Sequence, residues 1–215
     1  MKFYTDLFNK IISPENLFAS FDEFKRDKQN KKDVLDFEWN LETNILELSR
    51  ELKYHKYRHG VYTKFSICDP KPRIIHKAIV RDRILHHAIF RVLNPVFEPS
   101  FISHSFSCQI GKGTHKGVLA LAKILRKTSR NGTSPCFALK CDIRKFFDSV
   151  DHSILLEIIK RKVRDNDAIW LLEEIIKSFP PGEPNRERER ERERAILASS
   201  KNCFSTLVVD CQSVI

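Results

Sequence analysis

Apolar residues recur at helical intervals through the first quarter of the chain, then fall into short runs bounded by turn residues. Val34, Phe37, Leu41, Ile45, Leu48 and Leu52 recur every three or four positions, which predicts a long amphipathic helix over roughly 31–53 with that stripe facing the core. Ahead of it, Ser13-Pro14-Glu15 reads as a helix start: a Ser N-cap, Pro at the first helical position and an acid in the first turn. Residues 61–79 read as two short strands around an Asp-Pro-Lys turn. Apolar positions 80, 84, 85, 88, 89, 92 and 93 then predict a helix that ends at Asn94-Pro95. A loop with two glycines follows and leads into a helix starting near Thr114. Residues 128–135 (TSRNGTSP) are a connector, and CFALKCD is predicted as a short strand running up to Asp142. Two more helices are expected at about 151–162 and 165–178, with Asp151 and His152 at the start of the first. Pro180-Pro181-Gly182 ends the regular pattern. This order of elements predicts an α+β fold, not a repeat or a doubly wound sheet.

Composition narrows the class. The chain has 215 residues, 41% of them hydrophobic and 10% aromatic, which is globular rather than disordered. Lys and Arg number 38 against 28 Asp and Glu, giving a net charge of +10. A surplus of that size favours a polyanionic partner, most often nucleic acid. The six cysteines include no C-x-x-C pair, so buried, reduced thiols are expected. The first residues, MKFYTDLFNKIISPENLF, lack the apolar core and cleavage site of a signal peptide, and no apolar run is long enough to span a membrane. An intracellular, cytoplasmic location is the expectation.

Candidate chemistry centres on LKCDIRKFFDSVDH at 139–152. A carboxylate at a strand end is well placed to hold Mg²⁺, because the strand fixes its position and hard oxygen ligands suit that ion. The Ile143 carbonyl is a possible second ligand. Asp142 is equally readable as a cap on the turn after the strand, and the residues alone leave both open.

This stretch resembles the first catalytic-aspartate motif of reverse transcriptases, in the bacterial branch that includes group II intron, retron and diversity-generating retroelement enzymes. The upstream text KPRIIHKAIVRDRILHHAIFRVLNPVFEPSFISHSFSCQIGKGTHKGV resembles that branch's fingers motifs, and the likeness extends over about 30–179. It implies an RNA-directed DNA polymerase that adds dNTPs to a primer on an RNA template by two-metal phosphoryl transfer, with a retroelement RNA as partner. Asp142 would ligate the Mg²⁺ ions. Phe147 would lie under the incoming sugar and exclude a 2′-hydroxyl, with Phe146 in the core. Arg73 would reach the triphosphate or stack on the incoming base, and Lys64 across the hairpin is a candidate for the same phosphates. Gly111, Lys112, Gly113 and Thr114 would approach the template strand, the helix start offering free N–H groups. Arg81 and Arg83 read either as direct contacts or as salt bridges around Asp82.

The resemblance implies fingers and a partial palm: an N-terminal helical extension at 1–30, a fingers-like region at 31–135 and the start of the palm at 136–179. The family's Gly-x-Pro-x-Gly-Asn element and its aromatic-x-Asp-Asp turn are absent, and the chain contains no Asp-Asp pair. One carboxylate would hold two Mg²⁺ poorly, so the chain alone is expected to be inactive, and a non-catalytic RNA-binding remnant is the alternative. Residues 180–215 carry an alternating Arg-Glu run and an unrelated, irregular or disordered tail. Arg-Glu alternation is what an AG dinucleotide repeat encodes in any frame, so a frame shift there is the expectation. Translating the downstream DNA in the other two frames should yield an aromatic-x-Asp-Asp segment within one domain length, on the order of 100 codons.

Overall fold

Helix boundaries follow the capping chemistry of the sequence. A computed structural model describes residues 3–68, 72–107, 109, 111–143, 146 and 150–179, with the backbone alone at 72 and 73. Ser13 accepts a hydrogen bond from the Asn16 N–H at 3.2 Å and opens helix α2, Pro14–Phe24, just after the short α1, Phe8–Ile12. Asp151 accepts from Ser153 and Ile154 and opens α7, His152–Lys160. The predicted 31–53 helix is two helices, α3 (Lys32–Trp39) and α4 (Leu41–Lys53). Asn40 breaks the helical path at φ −119° and ψ 37°, and Asn44 donates its amide to the Phe37 carbonyl across the break at 2.9 Å. The stripe keeps its phase: Val34, Ile45, Leu48 and Leu52 are all buried.

Strands β1 (Thr63–Cys68) and β2 (Pro72–Lys77) form an antiparallel ribbon. Helix α5, Val80–Phe97, then runs through Pro95, where the sequence predicted an end. The bond that Pro95 cannot make would go to the carbonyl of Arg91, which is an exposed residue. Val96 beyond it is buried, and burial outweighs the proline. Helices α6 (Thr114–Thr128) and α8 (Asn166–Ser178) complete an α+β fold. No helix among the described residues is long and apolar enough to cross a membrane.

The described residues of 3–143 and 151–179 belong to one compact unit. Its core draws on α1, α2, α4, α5 and α8, with Ile11, Leu17, Phe21, Ile45, Leu85 and Leu171 all fully enclosed. The first residues are clasped to the turn between α7 and α8. Tyr4 donates to the Lys162 carbonyl at 2.9 Å, and Arg164 donates back to the Tyr4 carbonyl at 2.8 Å. Asp165 caps two helices at once. One oxygen accepts from Leu7 and Phe8 at 2.7 and 2.8 Å, and the other from Ala168 at 3.0 Å. Those backbone donors outweigh partial burial and hold its carboxyl below the usual range.

Asp82, fully buried in the first turn of α5, organises the approach to the hairpin. It accepts from the Tyr57 hydroxyl at 3.0 Å, the Gly60 N–H at 2.7 Å and the Arg81 Nε–H at 3.3 Å. A Cβ on Gly60 would stand 2.7 Å from Ile79 Cδ1 and 3.0 Å from Asp82 Oδ2, so a side chain there would have to displace Ile79 and crowd the carboxylate. Arg81 also binds Glu51 at 3.0 Å and the Arg58 carbonyl at 2.7 Å. Arg83 binds Asp33 at 2.6 Å, where Lys77 joins at 2.8 Å. The two arginines therefore bridge α5 to α4, α3 and the preceding loop, which is the structural one of their two readings.

Next to Asp82, the His59 Nδ1 donates to the Gly60 carbonyl at 2.7 Å. This fixes Nε2 of the neutral ring as an acceptor. That nitrogen lies 3.3 Å from His86 Nε2 and 3.3 Å from the Tyr62 hydroxyl. Burial first, then the neighbouring His59, lowers the His86 pKa to about 4. Burial, with the Asp82 carboxylate adding to it, pushes the Tyr57 phenol far above its usual value.

Two outcomes are expected. Asp82→Ala strands the Tyr57 hydroxyl and the Gly60 N–H in the interior and should cost about 3–5 kcal/mol in urea unfolding. The folded pKa of His86 lies below its unfolded value, so the unfolded chain takes up the proton first as pH falls. Stability should therefore drop between pH 6.5 and about pH 4 and level off below. The loss should be about 3 kcal/mol, and His86→Asn should remove that part of the pH dependence.

Candidate nucleic-acid interface

The hairpin stands open on both faces, since every residue of β1 is exposed. Lys64 pairs with His76 and Arg73 pairs with Ile67. These register positions have opposite parity, and successive positions of a strand alternate between its faces. Lys64 is exposed; the Arg73 side chain lies outside the described residues. Cys68 on the same ribbon and Cys141 are exposed and Cys136 is half-buried, all as free thiols. Burial was the expectation for them. It fails because no apolar element covers the ribbon or the segment 136–143 among the described residues.

The glycine loop is built to turn. Gly111 has φ +72° and Gly113 φ +114° with ψ 179°, the latter a conformation that side chains other than hydrogen scarcely allow. Lys112 donates to the Ser103 carbonyl at 3.0 Å, and Lys116 donates to the Gly111 carbonyl, so the loop is tied to itself. Gly113 is the N-cap of α6 and has no side chain to offer. The N–H groups of Thr114, His115 and Lys116 accordingly take no side-chain cap from it. Phe106 closes over Gly117, where an added Cβ would meet the ring at 3.3 Å.

The predicted strand before Asp142 does not form. Residues 135–143 have no regular secondary structure, and Phe137, Leu139 and Ile143 are 92%, 81% and 60% exposed. A strand exists only as part of a ladder, and the described strands pair only with each other. Asp142 is exposed and has no hydrogen-bond or ion-pair partner among the described residues. Phe146, expected in the core, is half exposed, and Phe147 lies outside the described residues. No group of three or more His, Cys, Asp or Glu that could hold a metal occurs among the described residues. One carboxylate and the Ile143 carbonyl are too small a donor set for two divalent ions.

The residue-by-residue reading missed the far end of α6. Lys123, Arg126, Lys127 and Arg130 are all exposed, and no carboxylate pairs with any of them among the described residues. The available signal was a gap: between Glu98 and Asp142 the sequence holds no Asp or Glu. In the loop, Gly113→Ala should impose about 1–3 kcal/mol of local strain. Faster amide exchange over the first turn of α6 is expected, with an unchanged urea midpoint for the core.

Comparison with known proteins gives these positions a context. No protein-family profile matches the chain. It is 25% identical over 99 residues to nuclear intron maturase 1, mitochondrial, of Arabidopsis thaliana, covering 46% of this chain and 13% of that one. It is equally 25% identical over 99 residues to protein YkfC of Escherichia coli, covering 26% of that protein. A putative COX1/OXI3 intron 1 protein of Saccharomyces cerevisiae is 24% identical over 134 residues, or 61% of this chain and 15% of its own. The chain thus spans about a quarter or less of these relatives, two of which are named as an intron maturase and a putative intron protein.

Proposed function

We propose that this chain binds intron or retroelement RNA and is the nucleic-acid-holding part of a reverse-transcriptase-type protein that does not polymerise by itself. The observation that carries the reading is the likeness to maturase and intron proteins, which falls on a chain with a net charge of +10. The glycine loop and the uncapped start of α6 supply backbone donors suited to phosphate, and the open hairpin supplies Lys64.

The finer reading, descent from an RNA-directed DNA polymerase, assigns Asp142 as one carboxylate of a Mg²⁺ site. In it, Phe147 is the sugar gate and Arg73 a contact to the incoming nucleotide. Two Mg²⁺ bring four positive charges, and that neutralisation requires anionic groups beyond Asp142 and the Ile143 carbonyl. Catalysis is therefore assigned to an assembly in which further carboxylates join Asp142.

Fluorescence anisotropy with a structured intron RNA tests the binding. The association constant should fall log-linearly with salt between 50 and 200 mM, as displaced counterions compete. Primer extension on an RNA template with Mg²⁺ and dNTPs should give no product, and Asp142→Ala should leave RNA affinity unchanged. Extension that Asp142→Ala abolishes would overturn the assignment of a non-polymerising chain.

A further inference from the structure

We propose that one face of α6, continued by the turn after it, is the principal phosphate-contacting surface of this chain, formed by Lys116, Lys123, Arg126, Lys127 and Arg130. The inference rests on the RNA-binding reading above and specifies where the backbone sits.

Charge accounting comes first. From Pro99 to Cys141 there is no acidic residue, while Lys112 and Lys140 join the five named residues, so seven of the chain's ten surplus positive charges fall in this segment. The rest of the chain is close to balanced, and its cations are often paired: Arg58 with Glu174, Arg81 with Glu51, Arg83 with Asp33 and Lys160 with Glu173. No carboxylate pairs with any of the five among the described residues, and all five are exposed.

Helix geometry then places them together. At 100° per residue, Lys116, Lys123 and Lys127 align within about 40° of arc, and Arg126 flanks them one residue step round the helix. The stripe runs about 16 Å from Lys116 to Lys127. Arg130 extends it through the turn, where the chain reverses at φ 50° for Arg130 and φ 57° for Asn131. Val118, Leu121 and Leu125 occupy the opposite side, and the exposed Leu119 is the one large apolar residue that falls within the arc from Lys127 to Arg126. A linear row of uncompensated cations fits a regularly charged polyanion better than it fits a single anionic group.

An anionic membrane is the competing partner, because α6 also has an exposed apolar side. RNA is favoured because the relatives are intron proteins and because the stripe adjoins the glycine loop, whose backbone donors suit phosphate as well.

The experiment compares two variants of equal charge. One is Lys123→Gln, Arg126→Gln, Lys127→Gln and Arg130→Gln together. The other is Lys10→Gln, Lys31→Gln, Lys32→Gln and Lys53→Gln, four exposed lysines on other elements. No α6 side chain is buried, so both proteins should unfold at the wild-type urea midpoint. The salt slope of RNA binding should fall by about 3 for the α6 variant, from the four lost phosphate contacts, and by less than 1 for the control. Equal losses in the two variants, or an unchanged slope in the α6 variant while wild type binds, would overturn the surface and leave RNA binding standing. No RNA binding by wild type at 50 mM salt would overturn both. Sedimentation with phosphatidylserine vesicles that Leu121→Ser with Leu125→Ser abolishes, alongside an unchanged RNA slope in the α6 variant, would assign the helix to a membrane surface instead.

Discussion

A carboxylate with no exposure to water organises the middle of this protein. Asp82 gathers a phenol, a backbone N–H and a guanidinium from three successive parts of the chain. The buried Tyr57 hydroxyl and the part-buried Gly60 N–H would otherwise lose this acceptor, at a cost to the fold. The packing of residues 57–62 against α5 follows from this one side chain, and so does the close approach of Gly60. The flanking arginines carry the constraint outwards, to Glu51 on α4 and Asp33 on α3. The Arg-Asp-Arg sequence thus acts as a fastening of the frame that presents the hairpin.

Legibility in the sequence tracked how local the physics was. Caps at Ser13 and Asp151 and the apolar stripe of α4 depend on neighbours within one or two turns, and both appear where the pattern places them. Pro95 and Asn40 misled in opposite directions. The helix runs past an exposed proline to the buried Val96, and the asparagine breaks a helix that periodicity alone reads as continuous. CFALKCD has strand-like residues but no neighbour to pair with among the described residues. Strand character is a property of a ladder, and periodicity in one segment does not show its partner. Of the site residues, Gly111 and Gly113 do have the turned backbone their residue type suggests. The role of Asp142 was not legible, because a metal site is defined by several converging donors and one stretch of sequence does not show which groups converge.

Two kinds of surface coexist in this chain. Around α1, α2, α4, α5 and α8 the apolar residues are enclosed, whereas along α6 and residues 136–143 they stand open. Residues 139–143 of the motif fall on the open side. Among the described residues, this division separates an enclosed frame from segments whose apolar and cationic groups are exposed together.

The clasp between the first residues and the α7–α8 turn bears on how the chain is made. Asp165 holds the N–H of Leu7 across 158 residues of sequence. A ribosome adding 5–20 residues per second therefore exposes Leu7 and Phe8 roughly 8–30 s before their acceptor exists. During that interval α1 and α2 can already pack on α4 and α5, while the N–H groups of Leu7 and Phe8 still lack their carboxylate. The clasp is thus a late event in synthesis, set by the position of one aspartate near the far end of the frame.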